Sequence, residues 1–308
     1  MRHAHTQAGS ITDSVDTTPT RDPRMEVHMT KNTRSTILVG VDGSPNANVA
    51  AAWAVDIGRR LDAPVEAVAA WTGLPPPYVE GVDEHVAEMN VHVTEIMAQS
   101  LYADGLNDLK VTAVQGPTAE VLLGTADKSD ALMLVVGTRG LGPLSGLLLG
   151  SISRRLLFTT NRPLVVVPRR APPDPRDMTR VLVGVDCSPA AQHVLSWSAR
   201  FCADLGVPAT IVRCASPGCE RPPGLVDHVN GRVRSATEEA LQEFRDLGVG
   251  YTVTVAHCDP RVALVENATR DQAGLIVIGS RGEGRFRGLG GTASYLARHS
   301  PVPLAVIP

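Results

Sequence analysis

The chain contains the same sequence pattern twice. ILVGVDGSP begins at Ile37 and VLVGVDCSP begins at Val181, so that Asp186 follows Asp42 by 144 positions. A later pair, VVGTRG and VIGSRG, continues the correspondence, and each copy closes on a proline-started apolar run, PLVVVP or PLAVIP. A period of about 140 residues is too long for a solenoid repeat and suits a whole domain. The sequence therefore predicts two homologous domains.

The domain boundaries follow from composition. Residues 35–168 form the first predicted domain and residues 179–308 the second. Residues 169–178, RRAPPDPRDM from position 169, are charged and proline-rich, which is typical of a semi-rigid linker. Residues 1–34 are polar and lack apolar periodicity, and we expect them to be a disordered tail because they have little apolar surface to bury.

Within each copy, short apolar runs alternate with helical patterns. The run ILVGV predicts a strand buried on both faces, and Ser44 followed by Pro45 is a typical helix start. A longer apolar stripe that includes Val86, Val93 and Ile96 predicts an amphipathic helix. Five strands separated by four helical segments indicate right-handed crossovers and a parallel sheet covered on both faces.

Composition excludes several classes of protein. The formal net charge is −3, so the chain lacks the excess of basic residues that is typical of nucleic-acid-binding proteins. No apolar run reaches the roughly 18–20 residues of a membrane span. The five cysteines are odd in number and form no CxxC pair, which argues against a disulfide framework or a zinc site. We therefore expect reduced cysteines, no metal site and a cytoplasmic location.

The glycine-rich stretch GTRGLGPLSGLLLGS, residues 137–151, joins the fourth strand to the fourth helix. Ligands of open α/β sheets bind outside the carboxyl ends of strands, and a helix N-terminus attracts phosphate. The stretch could therefore bind phosphate. The residues alone are equally compatible with a surface loop that precedes a capped helix. It is not a Walker A loop, and GxGxxG does not follow the first strand.

Together these motifs resemble the universal stress protein family. The resemblance rests on ILVGVDGSPNA, on VVGTRG, and on the pattern G-x2-G-x9-G-[ST], and it covers residues 35–308. It implies an α/β fold of two tandem Rossmann-like domains of the adenine nucleotide alpha hydrolase-like type. Each domain would hold a five-stranded parallel sheet of order 3-2-1-4-5 with helices on both faces. It also implies ATP as the ligand, alone or with Mg²⁺.

The resemblance implies an ATP site in the first domain, formed by Val41, Asp42, Ala70, Val136, Gly137, Gly140, Gly150, Ser151 and Ile152. In the family's pattern Asp42 approaches the ribose, main-chain groups at Ala70 meet adenine, and the glycine loop holds the phosphates. From the residues alone, Asp42 has an alternative structural role in a turn between strand and helix.

The second copy departs from this pattern. Its loop reads GSRGEGRFRGLGGTAS and, aligned on Gly291 and Thr292, is one residue shorter. We therefore expect a weaker second site, formed by Asp186, Cys214, Gly279, Gly282, Gly291 and Thr292. The first copy should bind ATP more tightly.

Three functions are compatible with these features. The first is a cytoplasmic ATP-binding stress or dormancy-response protein that acts by nucleotide-dependent binding or signalling and has no catalytic residues. The second is a slow ATPase, although no loop lysine or Walker B acid supports it. The third is an interaction scaffold that binds no nucleotide and dimerises through the last strands. Expected partners are an adenine nucleotide, an unidentified protein, and either a second copy or the other domain of the same chain, with neither nucleic acid nor membrane.

Overall fold

The computed structural model describes residues 35–73, 82–140, 149–169, 177–186, 188, 190–214, 238–256, 258–280 and 290–308. The predicted disordered tail at 1–34, residues 170–176 of the predicted linker, and Gly282 lie outside these ranges.

Strands and helices alternate through both halves, as the apolar runs predict. The first half consists of β1 (Ile37–Val41), α1 (Pro45–Leu61), β2 (Val65–Trp71), α2 (Val82–Ala103), β3 (Lys110–Gln115), α3 (Thr118–Lys128), β4 (Met133–Gly137), α4 (Ser151–Thr159) and β5 (Leu164–Val167). The second half consists of β6 (Val181–Val185), α5 (Ala191–Leu205), β7 (Ala209–Cys214), α6 (238–246), β8 (Tyr251–Ala256), α7 (Pro260–Arg270), β9 (Leu275–Gly279), α8 (Gly291–His299) and β10 (Leu304–Ile307).

The predicted start of α1 is present. The Ser44 hydroxyl accepts a hydrogen bond from the Ala47 amide at 3.2 Å, and Pro45 is the first helical residue. Trp53 and Ile57, one turn apart, are buried against the sheet. A side-chain cap at one end and an apolar stripe along one face therefore define this helix.

Helix α2 is present as predicted, but one residue of its predicted apolar stripe does not face the core. Ile96 is 44% exposed, whereas Met97 packs against the core together with Val93. Val93, Met97 and the buried Leu101 are four residues apart and share a face, while Ile96 is rotated by about 100° from Met97.

The ten strands form one sheet in the order β3-β2-β1-β4-β5-β10-β9-β6-β7-β8. Each half therefore has the order 3-2-1-4-5 when its strands are counted from its own start. Neighbouring strands are parallel except β5 and β10, which pair antiparallel with Val165 opposite Ala305.

The pairing of β5 with β10 joins the two halves within one chain. Each of these strands has a neighbour on both sides, so neither offers a free edge to a second molecule. The structure therefore contradicts the alternative in which two chains dimerise through the last strands. The sheet ends instead at β3 and β8.

Two apolar cores cover the two faces of the sheet. Helices α1, α2, α5 and α6 contribute to one core, and α3, α4, α7 and α8 to the other. Along β1, Val39 faces the first core and Leu38 the second, as alternation in a strand requires. Among the described residues, no helix is both long enough and apolar enough to cross a membrane.

Candidate functional site

The carboxyl ends of β2, β1 and β4 meet at one edge of the sheet. Val41 pairs with Ala69, so that Ala70 lies one residue further along β2, and Val39 pairs with Val135 on the other side. The strand order reverses between β1 and β4, which is where open α/β sheets form their ligand crevice. The structure thus brings the predicted strand-end residues Val41, Ala70, Val136 and Gly137 to neighbouring positions.

Asp42 lies directly after β1 and faces the glycine loop. Its Oδ1 accepts a hydrogen bond from the Ser44 amide at 3.0 Å, which closes a turn into α1. Its Oδ2 lies 2.0 Å from the point where a Cβ at Gly140 would stand. The turn role is therefore present, and the same carboxylate lies against the backbone of the predicted phosphate loop.

The two ends of the glycine loop are bonded to each other. The Gly150 amide donates to the Thr138 carbonyl at 2.8 Å, and the Ser153 hydroxyl donates to the Gly137 carbonyl at 2.7 Å. The Thr138 amide in turn donates to the Val167 carbonyl of β5 at 3.0 Å. Gly137 and Gly150 thus lie together at the N-terminus of α4, while Gly140 lies against Asp42 and residues 141–148 lie outside the described ranges.

Asn46 is a site residue that the sequence analysis missed. Its Nδ2 donates to the Thr138 hydroxyl at 3.3 Å and to the Arg139 carbonyl at 3.1 Å. A Cβ at Gly137 would lie 2.3 Å from the same Nδ2, so a glycine is needed for this approach. The two copies differ at this position, since Asn46 aligns with Ala190, and this difference is the feature of the sequence that could have indicated its role.

The N-terminus of α4 presents backbone donors. Gly150 is the N-cap without a side-chain hydrogen bond, and the first helical bond runs from the Arg154 amide to the Gly150 carbonyl at 2.9 Å. The amides of Ser151, Ile152 and Ser153 therefore precede the helical ladder. Together with the positive end of the helix dipole, they suit an anionic group.

A groove of about 680 Å³ runs between α4 and α8 beside this helix start. Its lining residues include one serine at the helix N-terminus, three arginines and an exposed phenylalanine, and are Leu149, Ser151, Arg154, Arg155, Phe158, Ser294 and Arg298. Arg155 forms an ion pair with Glu120. The groove adds positive charge next to Ser151 and does not include Asp42 or Ala70.

The second half repeats the turn after its first strand. Asp186 Oδ1 accepts from the Ser188 amide at 3.0 Å, matching Asp42 and Ser44. Cys214 and Gly279 end β7 and β9, the two neighbours of β6, so they lie at the same edge of the sheet as Asp186. Gly282 lies outside the described residues.

Helix α8 begins one residue earlier than expected from the sequence alignment, which matches Gly291 to Gly150. Gly290 is the N-cap, and its amide donates to the Ser280 carbonyl at 3.1 Å, as Gly150 does to Thr138. Gly291 therefore occupies the position of Ser151, and Thr292 that of Ile152. The second loop is two residues shorter rather than one, and it lacks the serine hydroxyl at the helix start.

The side chains that could bind a metal ion bear on the expected Mg²⁺ site. Within the described ranges, no group of three or more His, Cys, Asp or Glu side chains is arranged to hold a metal ion. The expectation that Mg²⁺ accompanies the ligand stays a prediction.

Comparison with known proteins adds to this geometry. The model of the universal stress protein family matches residues 33–168 and 178–308. A universal stress protein of Mycolicibacterium smegmatis is 33% identical over 291 residues, covering 88% of this chain and 96% of that protein. One from Mycobacterium tuberculosis is 28% identical over 305 residues, covering 87% and 95%.

Solved structures share the fold. The crystal structure of a universal stress protein from Archaeoglobus fulgidus aligns with a TM-score of 0.63 at 20% identity, covering 89% of this chain and 98% of that one. A putative universal stress protein from Pseudomonas aeruginosa aligns with a TM-score of 0.55 at 15% identity, covering 89% and 93%. Because the family model matches both halves and a relative of 33% identity spans most of the chain, this protein belongs to the universal stress protein family, with two tandem domains.

Proposed function

We propose that this stress-response protein binds ATP at the carboxyl edge of β1 and β4 in its first half. Family membership supports the stress-response function. The observation that carries ATP binding is the closure of the glycine loop onto the N-terminus of α4, with the Asp42 carboxylate against Gly140. The protein acts by nucleotide-dependent binding to a partner, since an ordered loop changes the surface that a partner meets.

The chemistry of the loop supports a phosphate ligand. The amides of Ser151, Ile152 and Ser153 precede the first helical hydrogen bond, and the Ser151 hydroxyl is exposed beside them. Arg154 adds a guanidinium one turn later. Backbone donors, a helix dipole and a cation together suit the charge of a phosphate chain.

The neighbouring strand ends supply the remaining contacts. Asp42 offers a carboxylate to the ribose hydroxyls, and the main chain at Ala70 offers hydrogen-bonding groups to adenine. Ala70 is half-buried at the end of β2, two strands from β4 across β1, so the base and the phosphates bind on opposite sides of Asp42.

Binding is favoured over turnover. The chain has three lysines, Lys31, Lys110 and Lys128, and none lies in the glycine loop. Phosphoryl transfer in P-loop enzymes uses such a lysine together with an acid that holds Mg²⁺. We therefore expect ATP to be retained, and phosphate release to be slow compared with nucleotide exchange.

We also propose a cytoplasmic location, which the cysteine usage supports, because the five cysteines are odd in number and form no CxxC pair. A homodimer stays a prediction, and it would have to use a surface other than β5 and β10, because those strands pair with each other.

Mass spectrometry of nucleotide released from protein purified without added nucleotide tests the proposal. We expect ATP, and we expect isothermal titration of the stripped protein to show ATP binding that Mg²⁺ or EDTA modulates. Arg154→Gln should weaken binding, whereas Arg59→Gln, on the exposed last turn of α1, should not. A stripped protein that shows neither heat nor a thermal shift with ATP, ADP or AMP would rule the proposal out.

A further inference from the structure

Two side chains hold the beginning of the glycine loop in the first half. Asn46 Nδ2 donates to the Thr138 hydroxyl and to the Arg139 carbonyl, at 3.3 and 3.1 Å. The Ser153 hydroxyl donates to the Gly137 carbonyl at 2.7 Å. Residues 137–139 are thus tied to α1 on one side and to α4 on the other.

The second half keeps the backbone bonds of this arrangement and lacks both side chains. The Ser280 amide donates to the Ile307 carbonyl at 2.7 Å and the Gly290 amide to the Ser280 carbonyl at 3.1 Å, as in the first half. The position of Asn46 is taken by Ala190 and, in the helix register set by Gly290, the position of Ser153 by Ala293. Neither alanine can donate or accept through its side chain.

Burial of the Asn46 side chain lowers the stability of the fold. It is only 5% exposed, and its Oδ1 is buried with no hydrogen-bond partner among the residues that the structure describes. A buried amide with an unsatisfied acceptor lowers stability, and an alanine at this position, as in the second half, removes that penalty. The gain that offsets the penalty is the pair of bonds to the loop.

We propose that Asn46 is a positioning residue that fixes residues 137–139, the beginning of the glycine loop, before nucleotide binds, and that the lack of such a residue makes the second half the weaker site. The inference rests on the proposed function, because it names what distinguishes the two candidate ATP sites. If residues 137–139 are ordered in advance, binding costs less conformational entropy, so the same contacts give a higher affinity. Gly137 belongs to this arrangement, because a side chain there would displace Asn46.

The chain offers a matched control two residues away. Asn48 lies on the same helix, is 8% exposed, and its Nδ2 donates to Ser100 Oγ at 3.1 Å and to Asp104 Oδ2 at 2.7 Å. Asn48→Ala therefore removes a buried amide of the same kind without touching the loop. Any general loss of stability in α1 appears in both variants, and loss of loop order appears only in Asn46→Ala.

The test combines amide hydrogen exchange of residues 137–140 in nucleotide-free protein with ATP titration. Losing a buried hydrogen bond corresponds to a factor of about three to ten, so Asn46→Ala should raise exchange and weaken ATP binding by about that factor. Asn48→Ala should change neither. Unchanged exchange and affinity in Asn46→Ala, or equal changes in both variants, would overturn the inference.

A gain-of-function variant tests the second half. Ala190→Asn combined with Ala293→Ser should slow exchange around Ser280 and tighten binding at the weaker site, and unchanged exchange there would count against the assignment. If wild-type protein binds no ATP, the proposed function fails, but the exchange rates of residues 137–140 still decide whether Asn46 orders the loop.

Discussion

The Asp42 carboxylate and the Gly140 backbone are in direct contact. Oδ2 of Asp42 lies 2.0 Å from the place of a Cβ at Gly140, and Oδ1 of the same side chain accepts from the Ser44 amide at 3.0 Å. The turn after β1 and the loop after β4 are therefore packed against each other. A side chain at position 140 would therefore displace the Asp42 carboxylate or the loop backbone, whether or not a ligand is bound.

Gly140→Ala should weaken ATP binding by moving Asp42 away from the loop. The added methyl group cannot coexist with Oδ2 in its present position, so either the carboxylate or the loop backbone must shift. We expect about a tenfold loss of affinity, equivalent to ~1.4 kcal/mol, in isothermal titration with ATP.

Gly124→Ala is the control for that substitution. Gly124 lies within α3, and a Cβ there would have no neighbour within 4 Å. Replacing a helical glycine by alanine should raise the free energy of unfolding by ~0.5–1 kcal/mol and leave ATP affinity unchanged. If Gly140→Ala binds ATP as well as Gly124→Ala does, the contact with Asp42 has no role in the site.

Arg60→Ala should destabilise the association of the two halves. The Arg60 guanidinium donates to the Leu205 carbonyl of the second half at 2.9 Å and to the carbonyl of Met178, at the end of the linker, at 3.5 Å. Hydrogen bonds from a charged group contribute about 1.5–3 kcal/mol, and we expect a loss in that range in urea unfolding.

Arg59→Ala is the neighbouring control for Arg60→Ala. The Arg59 side chain is 67% exposed and pairs with Asp56 on the same helix, an interaction that contributes at most about 1 kcal/mol. Equal urea midpoints for the Arg59 and Arg60 variants would show that Arg60 does not join the halves.

Asp259 should make stability depend on pH in the acid range. The hydrogen bonds from the Arg261 side chain, and then from its backbone amide, lower the pKa of this carboxyl from 3.8 to about 2. Because the folded-state pKa is the lower one, the charged carboxylate stabilises the fold above the unfolded pKa. This contribution is lost as the pH falls through the folded value.

The measurement compares thermal unfolding midpoints of wild type and Asp259→Asn, which retains an N-capping side chain. The advantage of wild type should be constant above about pH 5 and should shrink between about pH 4 and pH 2. A difference that is flat across this range, or that grows on acidification, would refute the assignment.

Cys202 and Cys258 should differ in reactivity. Burial raises the pKa of the Cys202 thiol to about 12, whereas Cys258 is exposed. Because the thiolate is the nucleophile, iodoacetamide should alkylate Cys258 in native protein and Cys202 only after unfolding. Peptide mass spectrometry reads each site separately, and modification of Cys202 at the rate of Cys258 would contradict its burial.

Most of the fold could be predicted because strand and helix periodicities are local. The capped start of α1 at Ser44 follows from neighbouring residues alone, and so does the succession of five strands in each half. The orientation of Ile96 could not be predicted because α2 has apolar residues on more than one face. Only the packing shows that Met97, and not Ile96, lies on the buried face.

The site could be predicted only in part. The motif identified the loop, and parallel strand order brings Val41, Ala70 and Gly137 to one edge. Gly291 was misaligned because two glycines stand side by side, and the hydrogen bond from Gly290 decides which one caps α8.

The sequence by itself determined the duplication, the alternation of strands and helices, and the family, since all three are written in local patterns and their spacing. Only the tertiary structure decided that β5 pairs with β10 inside one chain, and that Asn46 reaches Thr138 across 92 positions. The physical reason is that hydrogen bonds and close packing between distant segments depend on how the segments meet in space, which no local periodicity encodes.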